Sequence, residues 1–281
     1  MKKLGRPKTG PSKEYLEKLE LLKEEYLSSK ITLRNVCKKH NISREYASVI
    51  LKQQGISLRK KISSDDTLFE KIDTEEKAYW LGFLYADGNV YYKEERVTYR
   101  IELGLAEKDL EHLEKFKKFL NCTNEIKYRE STKSYRLMIP SKKICNDLIK
   151  LGCVPNKSLI LTFPTEEQVP LELQKHFIRG YFDGDGSISY RKSGGSPGIS
   201  VMGTLEFLLK LNEVFKNLAV IAKKDKRHLN NTYTLRFRVQ PGINFLYLIY
   251  NDSNIFLTRK YEKYNFLLNC KSGEHFLKSL N

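Results

Sequence analysis

The chain has 281 residues, 40% hydrophobic and 30% charged, with 50 Lys and Arg against 34 Asp and Glu, a net charge of +16. That length supports one or two domains with a sizeable core, and the charge selects polyanionic partners: DNA, RNA or an anionic membrane. No apolar run approaches the roughly 20 residues a bilayer span needs, and the basic opening MKKLGRPKTG has no apolar segment behind it, so neither a membrane protein nor a signal peptide is expected.

The cysteines (Cys37, Cys122, Cys145, Cys153 and Cys270) are odd in number and lack C-x-x-C spacing, and the histidines form no H-x-x-H or H-x-x-x-H pair. A disulfide framework and a Cys- or His-built metal site are therefore set aside. A reducing cytoplasm is the expected location, at the nucleoid in a bacterial or phage setting, with an organellar origin left open.

Residues 1–12 read as a basic arm. Their GRPK resembles the core of a minor-groove hook, although a solvated tail is the plainer reading. Residues 13–60 are predicted to be a small all-helical module. Tyr15, Leu16, Leu19, Leu22 and Tyr26 fall near helical spacing. Thr32 is expected to cap a helix to His40 and Ser43 a second one through Gln54, with a short turn at Asn41 and Ile42 and a stop at Gly55. Two short helices on a tight turn resemble a helix-turn-helix, which would place Arg44, Tyr46, Ser48 and Lys52 in a major groove. The alternative is a helical packing module. Residues 61–73 read as a linker.

From residue 74 the chain repeats itself. One half, 74–165, runs from a helix ending in YWLGFLYADG through strand-like RVTYRIELGLA, helix KDLEHLEKFKKFL, strands IKYRE and SYRLMIP, to helix SKKICNDLIKLG. The other, 166–281, runs from a helix ending in FIRGYFDGDG through SISY and GISVMG, helix TLEFLLKLNEVFKNL, strands AVIAKKD and TYTLRFRVQ, to helix PGINFLYLIYN. Asp185 follows Asp87 by 98 residues, Leu205 follows Leu110 by 95, and Ile243 follows Ile144 by 99. A near-constant shift is the mark of an internal repeat. The expected fold is α+β, two αββαββα halves behind the helical module.

Trp80–Gly88 and Ile178–Gly186 carry the chemistry. Each is an apolar helix end stopped by glycine, with small residues four apart: Gly82 and Ala86, then Gly180 and Gly184. Small residues on one stripe let two helix backbones approach closely. Packed along these stripes, the helices would bring Asp87 and Asp185 together. A helix C-terminus already carries partial negative charge, so each aspartate costs roughly 0.3–1 kcal/mol there, and pairing them adds repulsion. A hard cation such as Mg²⁺ relieves both and serves phosphodiester hydrolysis. One Asp-Gly after a helix is an ordinary turn; two at matching places in a repeat are a specific signal.

These two segments resemble the LAGLIDADG motif, and the resemblance extends over about residues 74–270. It implies a single-chain homing endonuclease: a site-specific enzyme that cuts both DNA strands at a long target, leaving short 3′ overhangs. The motif helices would form the interface between halves, and two curved antiparallel sheets would make a saddle over the major grooves. The last motif aspartates, Asp87 and Asp185, would bind Mg²⁺ (with Mn²⁺ as substitute), joined by backbone carbonyls near Ala86 and Gly184. The first motif departs at Tyr85, where the pattern has aspartate. Asp183 fills that position in the second motif and is a second-rank candidate. A basic residue in each half near the scissile phosphates maps to Lys157 and Lys260, with Arg259 and Lys263 as rivals.

DNA reading is expected from alternating strand residues: Arg96, Thr98 and Arg100, then Lys127 and Arg129, and in the second half Arg191, Lys192, Arg236 and Arg238. With both halves on one chain, a monomer is expected. Two other readings use the same scaffold, a DNA-binding regulator that has lost cleavage and an RNA-binding intron maturase. An intein is not expected, because Met1-Lys2 offers no splicing Cys or Ser and Ser279-Leu280-Asn281 has no His before its Asn.

Overall fold

A computed structural model of the chain describes residues 13–29, 31, 33–56, 58, 64–95, 98–190, 196–215, 220–224 and 231–270. The basic arm, Thr32, Arg96, Arg191 and Lys192 lie outside the described residues. The chain divides into two compact units, Met1–Ile62 and Ser63–Asn281.

The small unit holds α1 (Lys13–Ser28), α2 (Leu33–Lys39) and α3 (Arg44–Gln53). Tyr15, Leu19, Leu22 and Tyr26 recur along one face of α1 and pack with Val36, Cys37, Ile42, Ala47 and Leu51 into a core of their own. Ser43 caps α3, its hydroxyl accepting from the Tyr46 N–H at 3.4 Å. Asn41 makes the turn at φ 54°, a left-handed conformation that asparagine tolerates better than most. Arg44 and Lys52 are exposed on α3. Tyr46 is half-buried and packs edge-on to Tyr15 against the core of this unit, ring centroids 5.5 Å apart.

The large unit builds αββαββα twice. The first half comprises α4 (Glu75–Ala86), β1 (Gly88–Lys93), β2 (Thr98–Ala106), α5 (Leu110–Phe119), β3 (Lys127–Arg129), β4 (Ser134–Ile139) and α6 (Lys142–Lys150). The second comprises α7 (Leu171–Asp185), β5 (Gly186–Ser189), β6 (Gly198–Gly203), α8 (Leu205–Val214), β7 (Val220–Lys224), β8 (Tyr233–Phe237) and α9 (Val239–Tyr250). Both sheets are antiparallel with the same order, β1-β2-β4-β3 and β5-β6-β8-β7. Even the register repeats: Gly88 pairs with Leu103 and Gly186 with Val201.

Each sheet buries one face. Ile101, Leu103 and Leu105 on β2, and Ile199 and Val201 on β6, alternate inward, where α5 and α6 cover the first sheet and α8 and α9 the second. α4 is enclosed on all sides, Ala78 through Tyr85 being buried without a break, and its main partner is α7. Burying each large apolar side chain at that seam contributes about 1.5–3 kcal/mol.

The structure adds to the sequence reading in several places. β1 follows Asp87 directly, and its Val90, Tyr91 and Tyr92 are residues that favour strands. Residues 64–73, expected as linker, fold onto the large unit: Phe69 and Ile72 enter its core, and the Asp65 N–H donates to the Leu120 carbonyl at 2.8 Å. α9 starts at Val239 and takes Pro241 into its first turn, where a missing N–H costs nothing. A last helix, α10 (Thr258–Leu268), carries Lys260 and was not foreseen.

The N-terminal end of α4 is tied by charge to the middle of α7. Arg179, fully buried, donates to Glu75 Oε1 at 2.6 Å and to the Ile249 and Ile255 carbonyls at 2.8 Å each. Glu75 also accepts from the Asn254 backbone and side chain, both at 3.0 Å. Arg179 therefore ties the middle of α7 to the start of α4, to the end of α9 and to the segment before α10.

Candidate active site and nucleic-acid interface

The two motif helices touch backbone to backbone. A Cβ placed on Gly82 would lie 1.9 Å from the Phe177 carbonyl oxygen, and one on Gly180 would lie 1.9 Å from that of Tyr79. These contacts are images of one another under the 98-residue shift. One turn further on, a Cβ on Gly184 would meet the Ala86 Cβ at 2.3 Å and Asp87 Oδ2 at 3.3 Å. The predicted small-residue stripes thus form the seam, and the Asp87 carboxylate lies over the last turn of α7.

Asp87 caps α4 and Asp185 ends α7. Burial pushes the Asp87 carboxyl up from its ordinary value, opposed by Lys260, Lys157 and Arg259. Asp185 is pushed up to about 6, first by burial and then by Asp87 itself, with Lys260, Lys157 and the Tyr181 hydroxyl pulling the other way. Among the described residues no group of three or more His, Cys, Asp or Glu side chains gathers to hold a metal. A cation here would have two carboxylates, and its other ligands would be carbonyl, water or phosphate oxygens. A cavity of about 240 Å³ opens beside Asp185, lined by Tyr85, Ser158, Tyr181 and Thr204 among others.

The two predicted lysines are buried at this seam, 7% and 3% exposed. Lys157 donates to the Gly88 carbonyl, immediately after Asp87, and keeps two ammonium protons for other partners. Lys260 spends all three: it donates to the carbonyls of Phe182 at 2.6 Å, Asp183 at 2.7 Å and Gly184 at 3.2 Å. It therefore caps α7, and the Gly184 carbonyl assigned to metal already has one donor. Burial lowers the Lys260 ammonium to about 8. Of the rivals, Arg259 is paired with Asp109 at 2.8 Å and Lys263 donates to the Ile188 carbonyl at 3.0 Å.

Asp183 is not placed to bind metal. It is fully buried, and its oxygens accept from Tyr79 Oη at 2.7 Å, Tyr250 Oη at 2.5 Å and the Leu257 N–H at 2.7 Å. It ties α7 to α4, α9 and the segment before α10. In the first half Tyr85 takes the equivalent place and donates to the Leu151 carbonyl. Asp183→Asn presents an amide where three donors converge, and is expected to cost about 2 kcal/mol, read by chemical denaturation. An Asp183→Asn chain as stable as the wild type would mean that this carboxylate does not tie the elements together.

The outer face of the first sheet is basic. By register it carries Tyr91 and Lys93 on β1, Thr98, Arg100, Glu102 and Gly104 on β2, Arg136 on β4, and Lys127 and Arg129 on β3. Arg136 was missed by sequence reading, although it alternates with buried Leu137. On the second sheet Arg236 is exposed opposite Ser200, and Arg238 is exposed just beyond β8.

Two family models match the chain, "LAGLIDADG endonuclease" over residues 80–151 and "LAGLIDADG-like domain" over residues 172–256. No curated protein matches. Among solved structures, the chain is similar to the I-LtrWI LAGLIDADG homing endonuclease bound to target DNA, with 12% identity, 76% of this chain and 96% of that one covered, and a TM-score of 0.46. It is also similar to I-DmoI in complex with DNA and Mn (20%, 67% and 99% covered, 0.44) and to I-SmaMI bound to uncleaved DNA with calcium (13%, 73% and 94% covered, 0.47). Likenesses this loose transfer no residue roles.

Proposed function

We propose that this chain, which belongs to the LAGLIDADG family, is a site-specific double-strand DNA endonuclease holding a divalent cation between Asp87 and Asp185. The observation that carries the reading is the pair of carboxylates itself. Two acids sit at two helix C-termini, Asp87 open to solvent and Asp185 half-buried with its proton held more tightly by burial and by Asp87, in a chain of net charge +16. Folding gains nothing from that arrangement, and a cation relieves all of it.

The donor set fits Mg²⁺, with Mn²⁺ as a substitute: two hard carboxylate oxygens and room for water and phosphate. When bound, such an ion activates water and stabilises the leaving oxygen of the phosphodiester. The chain's own part is positional. Asp87 and Asp185 hold the ion from opposite halves. Lys157, with protons to spare, offers positive charge to the phosphate that arrives there. Lys260 keeps the end of α7 fixed and lowers the field of both aspartates. The basic sheet faces hold the duplex, and exposed Arg44 and Lys52 on α3 add contacts from the small unit. One chain supplies both halves, so the enzyme works as a monomer.

A randomised DNA library incubated with the protein tests this directly. Discrete double-strand cuts in Mg²⁺, restored by Mn²⁺ after chelation and absent under EDTA, are expected. Specific binding without cutting in either metal would instead make the chain a regulator on the same scaffold.

A further inference from the structure

On the outer face of the first sheet, four side chains form a cluster. Glu102 points to the face opposite Ile101 and Leu103, yet it is only 8% exposed. Arg136 from the neighbouring strand is ion-paired through Nη1 to Glu102 Oε1, and Arg100 Nε lies 3.7 Å from Oε2. The Arg100 guanidinium in turn lies 4.4 Å over the ring of Tyr91, its cross-strand partner. Gly104, opposite Arg136, leaves the floor open: a Cβ there would find nothing nearer than 3.8 Å.

The fold does not require this cluster. The second sheet repeats the register, and the positions equivalent to Tyr91, Arg100, Glu102 and Arg136 are Ser189, Gly198, Ser200 and Thr234. The same sheet is thus built with no charge at any of them. Phosphate holding does not explain the cluster either. A covered carboxylate is costly, and on a DNA-facing surface it repels phosphate. What Glu102 does supply is orientation. It fixes the Arg136 guanidinium directly and sets the field beside Arg100, whose plane is held by the Tyr91 ring. Each guanidinium has N–H donors left over, and an arginine fork of fixed orientation matches O6 and N7 of guanine in a major groove.

We propose that Tyr91, Arg100, Glu102 and Arg136 form a guanine-reading element for one half of the DNA site, with Glu102 as the positioning residue. The inference rests on the endonuclease reading above. It makes the target asymmetric, with guanines required where the first sheet docks and no matching requirement at the mirrored positions. Glu102 also penalises wrong sequences, since its charge stays unfavourable wherever the arginines find no base to bind.

The test is competition binding, in Ca²⁺ in place of Mg²⁺, to the site selected by the wild type and to single-base variants of it. Arg136→Lys keeps the charge and loses the fork. It is expected to reduce the preference for guanine at one position roughly tenfold and to leave the salt dependence unchanged. Glu102→Gln is expected to bind random DNA at least as tightly as the wild type while losing preference at the same guanines; Ser200→Ala changes neither. An unchanged base profile in Glu102→Gln would overturn the proposal. So would an Arg136→Lys protein that weakens on every sequence alike, the mark of a phosphate contact. A wild type that selects no sequence would sink the endonuclease reading instead, before the variants are compared.

Discussion

Gly82→Ala is expected to lower the melting temperature by about 10 °C and to abolish cleavage, and Gly180→Ala to do the same. The reason is where the added carbon lands. At 1.9 Å from a carbonyl oxygen of the facing helix, it must move that oxygen by more than an ångström, and no rotamer change can absorb the clash because the obstacle is backbone. Protein interiors compress poorly, so α4 and α7 would have to separate. Overpacking costs about 1–3 kcal/mol when side chains can yield; here the upper end is the starting point. At roughly 2–4 °C per kcal/mol for a domain of this size, a loss near 10 °C follows. The effect on chemistry is larger, because Asp87 and Asp185 ride on the separating ends, and a misplacement of about 1 Å costs roughly 100-fold in rate. Gly104→Ala is the control: its new carbon meets nothing within 3.8 Å, and its melting point should hold. Melting of both Gly82→Ala and Gly180→Ala within about 2 °C of wild type would show that the helices do not meet as described.

What the sequence revealed and what it hid follow different physics. Asp87, Asp185 and the small-residue stripes were legible because they occur twice at one spacing, and a repeat turns an ordinary Asp-Gly turn into a pattern. The order of elements was legible for the same reason. The role of Asp183 was not. Its neighbours on the chain do not reveal that Tyr79, Tyr250 and the Leu257 N–H converge on it from 104, 67 and 74 residues away. Lys260 was found by its offset from Lys157, but its work as a three-carbonyl cap depends on α10, a helix whose TRKYEKYNFLL carries too few apolar residues to announce itself. Glu102 was invisible for another reason: an acid in a basic strand reads as solvated until the arginine that covers it, Arg136, is seen to lie on the adjacent strand. Local pattern thus picked out the acidic pair, and only tertiary contact set Asp183 and Lys260 apart from it as groups that hold helix ends together.

The carboxylate pair makes opposite demands on stability and on activity, and that opposition is measurable. Without metal, Asp185→Asn is expected to stabilise the folded chain at pH 8 by about 2 kcal/mol, and to leave it unchanged at pH 4. Asp185 titrates at about 6 in the folded protein against 3.8 for an ordinary aspartate. Its folded form therefore binds the proton more tightly than the unfolded form does. The sign follows from linkage: stability is fully retained below pH 4, falls as pH rises from about 4 to 6, and stays lowered above that. At 1.36 kcal/mol per unit the ceiling is about 3 kcal/mol, and the partial exposure of Asp185 brings it nearer 2. Cleavage runs the other way. Only the ionised pair holds a cation, so wild-type cleavage should fall about tenfold per unit as pH drops below 6, and both Asp185→Asn and Asp87→Asn should cut at least about 1000 times more slowly while still binding DNA. Added Mg²⁺ should raise the wild-type melting temperature at pH 8 and leave that of Asp185→Asn where it was, because only the former gains a ligand on folding. A variant that loses both cleavage and stability at pH 8 would mean that the aspartate was serving the fold, and the cation would then have to be sought elsewhere.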